Sequence, residues 1–453
     1  MIDAGKPTRV RLPAVLACVL CAAALPAHAA WLGVWGAAPQ APNPAMGFFP
    51  ATPSFNDQTL LQVVRISAGG RRVRVRFTNE YGTRPLVIGA ARIAIADAAG
   101  HFDPASSRAL TFNGQPGISI PAGAPFISDP VALPVKALAQ LAISIYLPGD
   151  TGPATGHFTG QQTAYVSGPG DFTARTFTPQ RKLQSRAFIS GVDVDSTAPR
   201  PRAIVLLADS ITDGVGSTPD ANHRWPDLLA DRLAARPHGA LGVVNMGISG
   251  NRLLVGGMGD SALSRFDRDV LSVPGAAYLI VFLGVNDLGM SYRQMPAPGA
   301  HPGGPGARSA PHAAAAGGPA PASGTAPAPH ARPAVGPGNM LPPEHATAED
   351  LIAGYRQLIE RAHAHRLKIY AATITPYGGA SYYSPAGEAV RQVINHWIRT
   401  SGAFDGVLDF DAAWRDPADP TRITAGLHAG DHLHGSDAGY RRLADSIDLS
   451  LFN

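Results

Sequence analysis

Two rhythms of apolar residues divide this sequence. From about residue 31 to 195 the apolar positions come in short runs rich in β-branched residues, among them Leu60-Leu-Gln-Val-Val-Arg-Ile66, Val73-Arg-Val-Arg-Phe77, Leu86-Val-Ile88 and Leu141-Ala-Ile-Ser-Ile-Tyr-Leu147. Gly69-Gly70, Asn113-Gly114 and Pro121-Ala-Gly123 punctuate them as turns. Many short strands with such turns predict an all-β sandwich over residues 30–197.

From about residue 200 the rhythm changes to strand alternating with helix, the pattern of a parallel α/β sheet. Ile204 to Ala208 reads as a buried strand that runs directly into Asp209-Ser210. Trp225, Leu228, Leu229 and Leu233 mark one face of a helix that Gly239 ends. Further strands follow at Gly242–Asn245, Tyr278–Leu283, Leu367–Ile374 and Val407–Phe410. A capping box of Thr347 and Asp350 opens one intervening helix, and Ser384-Pro385 opens another. Ser436 or Asp437 caps a last helix that turns Tyr440, Leu443 and Ile447 inward. Residues 198–453 thus predict a three-layer α/β/α domain. Between its third and fourth strands, residues 297–343 are Pro, Ala, Gly and His with almost no large apolar side chain. Such a composition cannot offset its ordering entropy and reads as a disordered insertion. Its histidines are too irregularly spaced for a metal site.

Composition changes the picture at the N-terminus. Lys6, Arg9 and Arg11 precede an apolar run from Leu12 to Leu25, and Ala27-His28-Ala29 ends it. Residues 1–29 therefore read as a secretory signal peptide cleaved after Ala29, which places the mature protein in the periplasm or outside the cell. The run is too short for a comfortable membrane span, so no stable membrane anchor is expected. Lipid attachment at Cys18 is the alternative, and Leu16-Ala17 before it is a mediocre match for that signal. Both cysteines fall inside the leader, leaving the mature chain without thiol or disulfide.

The chain of 453 residues is 45% hydrophobic and 15% charged, a globular composition. Its formal net charge of +4 falls to +2 once the leader, with Lys6, Arg9, Arg11 and Asp3, is removed, and no basic cluster with interleaved aromatics is present. Nucleic acid is not an expected partner. Arg72, Arg74 and Arg76 alternate along one strand and could meet an acidic polysaccharide, although a solvated sheet face is the simpler account.

The candidate chemistry sits at strand ends. Asp209-Ser210, Gly247-Ile-Ser-Gly-Asn251 and Gly284-Val-Asn-Asp287 follow the first three strands of the parallel sheet and share one edge. A serine hydroxyl is a weak nucleophile and needs a base, which Asp431-His-Leu-His434 near the C-terminus can supply with its own carboxylate partner. Other readings stay open at this level. Ser210 could cap a helix, Asn286 and Asp287 could be turn residues, and Gly250 could be required for backbone conformation. His428, His432, His434 and Asp431 could ligate a metal, or His432 could replace His434 as base. Asp213 and Arg224 read as structural.

These four blocks, in this order, resemble the SGNH hydrolases, also called the GDSL esterase/lipase family. The resemblance covers about residues 200 to 453. It implies a flavodoxin-like fold, Ser210 as nucleophile, His434 as general base and Asp431 as its orienting carboxylate. It implies an oxyanion hole from the N–H groups of Ser210 and Gly250 and the side-chain amide of Asn286, with no metal and no cofactor. Trp31 to Pro39, the β-rich region and Ile248-Ser-Gly-Asn-Arg-Leu253 are similar to a secreted bacterial subgroup resembling carbohydrate esterases. Two positions depart from the pattern. Ala208 stands where the family has glycine, and Gly435 follows His434 where a proline is common. The expected activity is hydrolysis of short acyl esters, acetyl on a small-molecule or polysaccharide substrate foremost. A lipase or lysophospholipase is the alternative, and a glycan-binding protein with a vestigial hydrolase fold is the reading from another class.

Overall fold

The computed structural model describes residues 1, 30–45, 50–97, 101–196, 198, 200–236, 241–292 and 346–453. The leader, the 297–343 insertion and the Gly239 helix end lie outside the described residues.

Residues 30–196 form antiparallel sheets. One is built on strands Ala30–Gly36, Ile189–Ser196 and Gly70–Thr78, the other on Gln58–Arg65 flanked by Gln140–Leu147. Alternation decides which side is buried. Val73, Val75 and Phe77 are fully buried, as are Leu141, Ile143, Ile145 and Leu147, and the apolar sides of both sheets join one core. The arginines between them are charge-matched across the strand. Arg72 pairs with Asp195 at 2.8 Å and Arg74 with Asp193 at 2.9 Å, and both guanidinium groups lie over the Trp31 ring. Asn113-Gly114 makes the expected tight hairpin, with positive φ at both residues and hydrogen bonds between Phe112 and Gln115 in each direction.

The second half is a five-stranded parallel sheet: β1 (Arg202–Ala208), β2 (Leu241–Gly247), β3 (Ala276–Phe282), β4 (Lys368–Ala372) and β5 (Gly406–Leu408), in spatial order 2-1-3-4-5. This is the flavodoxin-like winding, with its switch point between β1 and β3, where ligands of such sheets bind. Helices cover both faces. Trp225–Ala234 packs with Asp437–Ser446 on one side, and Ala348–Ala364 with Pro385–Thr400 on the other. The Thr347/Asp350 capping box and the Ser384 cap are both formed, and Ser436 is the cap of the last helix. The fifth strand stops at Leu408 rather than Phe410, because the Asp409 side chain accepts from the Ala412 N–H and starts a short helix at Phe410. No helix among the described residues is long and apolar enough to cross a membrane.

The two halves are in contact at the edge strand β2 and at the turn before β3. Val243 donates its N–H to Ser67 Oγ at 2.7 Å, and the Gly33 N–H reaches the Pro274 carbonyl at 2.9 Å. Gly242 is needed there, since a Cβ would run into the Gly33 carbonyl oxygen.

Candidate active site

Strand β1 delivers the chain into a one-turn helix, Ser210–Asp213. The Asp209 carboxylate caps it by accepting from the Ile211 N–H at 3.0 Å, and Gly214 (φ 103°) ends it. A side chain at Gly214 would collide with Arg224, which packs across that turn. Ser210 is thereby held at the mouth of the switch point, only 4% exposed.

The loop before the last helix brings the imidazole. Asp431 Oδ1 accepts from the N–H groups of Leu433 (3.0 Å) and His434 (2.9 Å), bending the chain so that the His434 ring returns over its own turn. Asp431 Oδ2 then lies 2.6 Å from His434 Nδ1, and His434 Nε2 lies 2.8 Å from Ser210 Oγ. His432, in left-handed backbone (φ 61°), faces the other way and stacks on His428 at 4.3 Å. Among the described residues no group of three or more His, Cys, Asp or Glu side chains is placed to hold a metal ion. Gly435 has no room for a proline ring, because even a Cβ would press on Trp414 and Tyr440 at 2.8–2.9 Å. Ala208 is fully buried and accommodated.

Gly250 and Asn286 stand on the segments that follow β2 and β3. Gly250 has φ 75° and carries the loop after β2. Asn286 lies in the first turn of the helix Val285–Ser291, which follows β3. One Asn286 amide N–H is taken by the Asn251 carbonyl at 3.0 Å, and the Tyr382 hydroxyl donates to Asn286 Oδ1 at 3.3 Å, fixing the orientation of the amide. Gly289 admits Tyr382, whose ring fills the space a side chain would need.

The profile of the GDSL-like lipase/acylhydrolase family matches residues 209–442, more than half of the chain. The chain belongs to the GDSL-like lipase/acylhydrolase family. It is an ester hydrolase of the SGNH type. No curated protein matches it. Among solved structures, an acetyl xylan esterase from Geobacillus stearothermophilus is similar at 18% identity and TM-score 0.35, over 54% of this chain and 92% of that one. A GDSL-like lipase from Bacteroides thetaiotaomicron is similar at 14% identity and TM-score 0.33, over 57% and 90%. An alpha/beta hydrolase from the metagenome of Lake Arreo, Spain, is similar at 19% identity and TM-score 0.34, over 54% and 92%.

In this GDSL-like site the carboxylates differ by environment. Burial opposes charge on Asp431, but its hydrogen bond to His434 and the two backbone N–H groups outweigh that and hold it well below the usual carboxylate range. Asp209 is pushed up to about 7 by full burial, against its bond to Ile211 and with Asp287 and Asp213 nearby. Asp287 is pushed up to about 6, again by burial first, although the N–H groups of Leu253 and Leu254 bind it.

Several of these side chains escape a reading of the sequence. Asp287 links the loop after β3 to the loop after β2, where the sequence also allowed a plain turn. Asp213 does more than stabilise its helix, since it binds Ser249 beside Gly250. Tyr382 and Arg265 carry no local signal, because each acts on a segment distant in sequence.

Proposed function

We propose that this chain is a serine esterase of short acyl groups. Ser210 Oγ attacks the ester carbonyl as His434 Nε2 takes its proton, and His434 then returns the proton to the leaving alcohol. Asp431 holds the imidazole in the tautomer with hydrogen on Nδ1 and balances the charge that forms on it. The developing oxyanion is bound by the N–H groups of Ser210 and Gly250 and the remaining amide N–H of Asn286. Water repeats the sequence on the acyl-enzyme. The observation that carries this reading is the unbroken line of contacts from Asp431 through His434 to Ser210, at 2.6 and 2.8 Å.

An acetyl group on a carbohydrate is the favoured substrate, because the β region gives the hydrolase a second body able to engage a polymer and raise the effective concentration of its esters. The leader supports action in the periplasm or beyond it, and a mature protein beginning at Ala30, the first residue of the first β-strand, is the expected mass-spectrometric result. The function is tested by hydrolysis of p-nitrophenyl acetate against longer acyl esters, for wild type and Ser210→Ala. Short-chain activity lost in Ser210→Ala is expected. A preference for long chains would move the assignment to a lipase, and activity surviving in Ser210→Ala would remove Ser210 as nucleophile.

A further inference from the structure

A buried histidine of the β region reaches the helix that begins with Ser210. His157, 4% exposed, has Nδ1 at 3.1 Å from the carbonyl oxygen of Ala38 and Nε2 at 2.8 Å from Asp213 Oδ1. Each ring nitrogen thus lies within hydrogen-bond distance of an oxygen acceptor, one on either side of the ring. One of those acceptors belongs to the β region and the other to the helix that begins with Ser210.

Asp213 passes the contact on. Its second oxygen, Oδ2, accepts from the Ser249 N–H at 3.1 Å, from the Ser249 hydroxyl at 2.8 Å and from the Thr159 hydroxyl. Thr159 Oγ1 and Ser249 Oγ are themselves 2.9 Å apart. Ser249 immediately precedes Gly250. On the far flank of Gly250 lies Met258, whose side chain fills the space a Cβ on Gly250 would need and whose carbonyl oxygen accepts from Gln40 Nε2 at 2.5 Å. Residues of the β region therefore hold both flanks of Gly250.

An oxyanion donor works only if it is fixed before charge develops, about 2.7–3.1 Å from where the oxygen will sit. A misplacement of about 1 Å can cost a hundredfold in rate. Removing the His157 ring leaves the buried Asp213 carboxylate with Thr159 as its remaining partner from the β region, and the carboxylate relaxes with Ser249 attached. We propose that His157 is a positioning residue for the Gly250 oxyanion donor, acting through Asp213 and Ser249. The β region is then part of the catalytic architecture and not only a substrate tether. The proposal rests on the serine esterase reading above.

The test uses the full-length chain, p-nitrophenyl acetate and methylboronic acid, which forms a tetrahedral adduct on an active serine. His157→Phe is expected to lower kcat about 10- to 100-fold while KM moves less than about threefold. Boronate affinity should fall in step with kcat, and His157→Gln should recover part of both. Ser249→Ala should have little further effect in the His157→Phe background, because both changes act on one carboxylate. Wild-type kcat in a folded His157→Phe protein overturns the proposal, as do independent, multiplicative effects of the two substitutions. If His157→Phe does not fold, Thr159→Val takes its place, since it removes one donor from the same carboxylate and keeps the shape. Parallel losses in kcat and boronate affinity then support the proposal, and an unchanged kcat overturns it. Ser210→Ala separates the two levels. Activity surviving in that variant removes the esterase reading itself, whereas an inactive Ser210→Ala beside unaffected His157 variants removes this inference alone.

Discussion

The guanidinium of Arg265 donates to the carbonyl oxygen of Ala208, two residues before Ser210, at 3.0 Å. The same group donates to Asn251 Oδ1 and to the Met246 carbonyl, and it pairs with Asp269 at 2.8 Å in full burial. One planar fork thus ties the ends of β1 and β2 to the loop after β2. Arg265→Leu should destabilise the fold by about 2–4 kcal/mol, since it leaves Asp269 with Arg268 as its remaining arginine and takes a buried donor from Asn251 Oδ1 and from the Ala208 and Met246 carbonyls. Arg265→Lys should be intermediate, restoring charge without the fork. Urea unfolding measures both.

Asp431 is half exposed, and its Oδ2 lies 2.6 Å from His434 Nδ1. Asp431→Asn keeps the turn-forming acceptor and removes the charge, so kcat on p-nitrophenyl acetate should fall about 10³- to 10⁴-fold with little change in melting temperature. Circular dichroism melting alongside steady-state kinetics separates catalysis from folding.

At the oxyanion side, Asn286→Ala should cost about 10²- to 10³-fold in kcat. Tyr382→Phe removes only the hydroxyl that orients the Asn286 amide, a 3.3 Å contact, and should cost less than the loss of Asn286 itself. If Tyr382 acts through Asn286, Tyr382→Phe should have no effect once Asn286 is alanine, which a double-mutant cycle reads directly.

Burial of Asp209 makes stability depend on pH. Burial pushes its carboxyl up to about 7 in the folded chain from 3.8 when free, and its buried Oδ2 has no hydrogen-bond partner among the described residues. The folded state therefore holds a proton that the unfolded state has released. The contribution is fully present below pH 3.8, declines as pH rises and is lost through about pH 7, with Asp287 acting the same way through about 6. Asp209→Asn keeps the acceptor for Ile211 and abolishes the titration. It should flatten the decline of melting temperature between pH 5 and 8, and an unchanged slope would assign the decline to other groups.

Tyr292 and Ala346, the described residues on either side of segment 293–345, are in contact. Ala346 donates its N–H to Ser291 Oγ at 3.2 Å, and its carbonyl accepts from the Tyr292 hydroxyl at 3.2 Å. Replacing residues 293–345 by a short Gly-Ser linker should leave the melting temperature and kcat/KM for p-nitrophenyl acetate close to wild type. A large loss of kcat/KM at unchanged stability would assign that segment a part in substrate binding.

What the sequence made legible follows from physics that is local. The β1 strand is an unbroken apolar run because it is buried on both faces, and the Thr347/Asp350 and Ser384-Pro385 starts are readable because capping is set by neighbours in the chain. The helices Ala262–Phe266, Val285–Ser291 and Phe410–Trp414 are too short to show a period. His157 and Arg265 were silent for a different reason. Their partners lie far away in sequence, so their roles exist only once the sheets have met.

The cover over the edge of β2 has a consequence for how the molecule can be divided. An open edge of a parallel sheet offers unpaired N–H and C=O groups to any other strand that meets it. Here the Ser67 hydroxyl takes up both the N–H and the carbonyl oxygen of Val243, and the strand Ala30–Gly36 packs beside β2. A truncation beginning at residue 198 would expose Val243 and its neighbours as a template for intermolecular pairing. Such a fragment should accumulate as oligomers and inclusion bodies, and the two halves are best produced, stored and evolved as a single polypeptide.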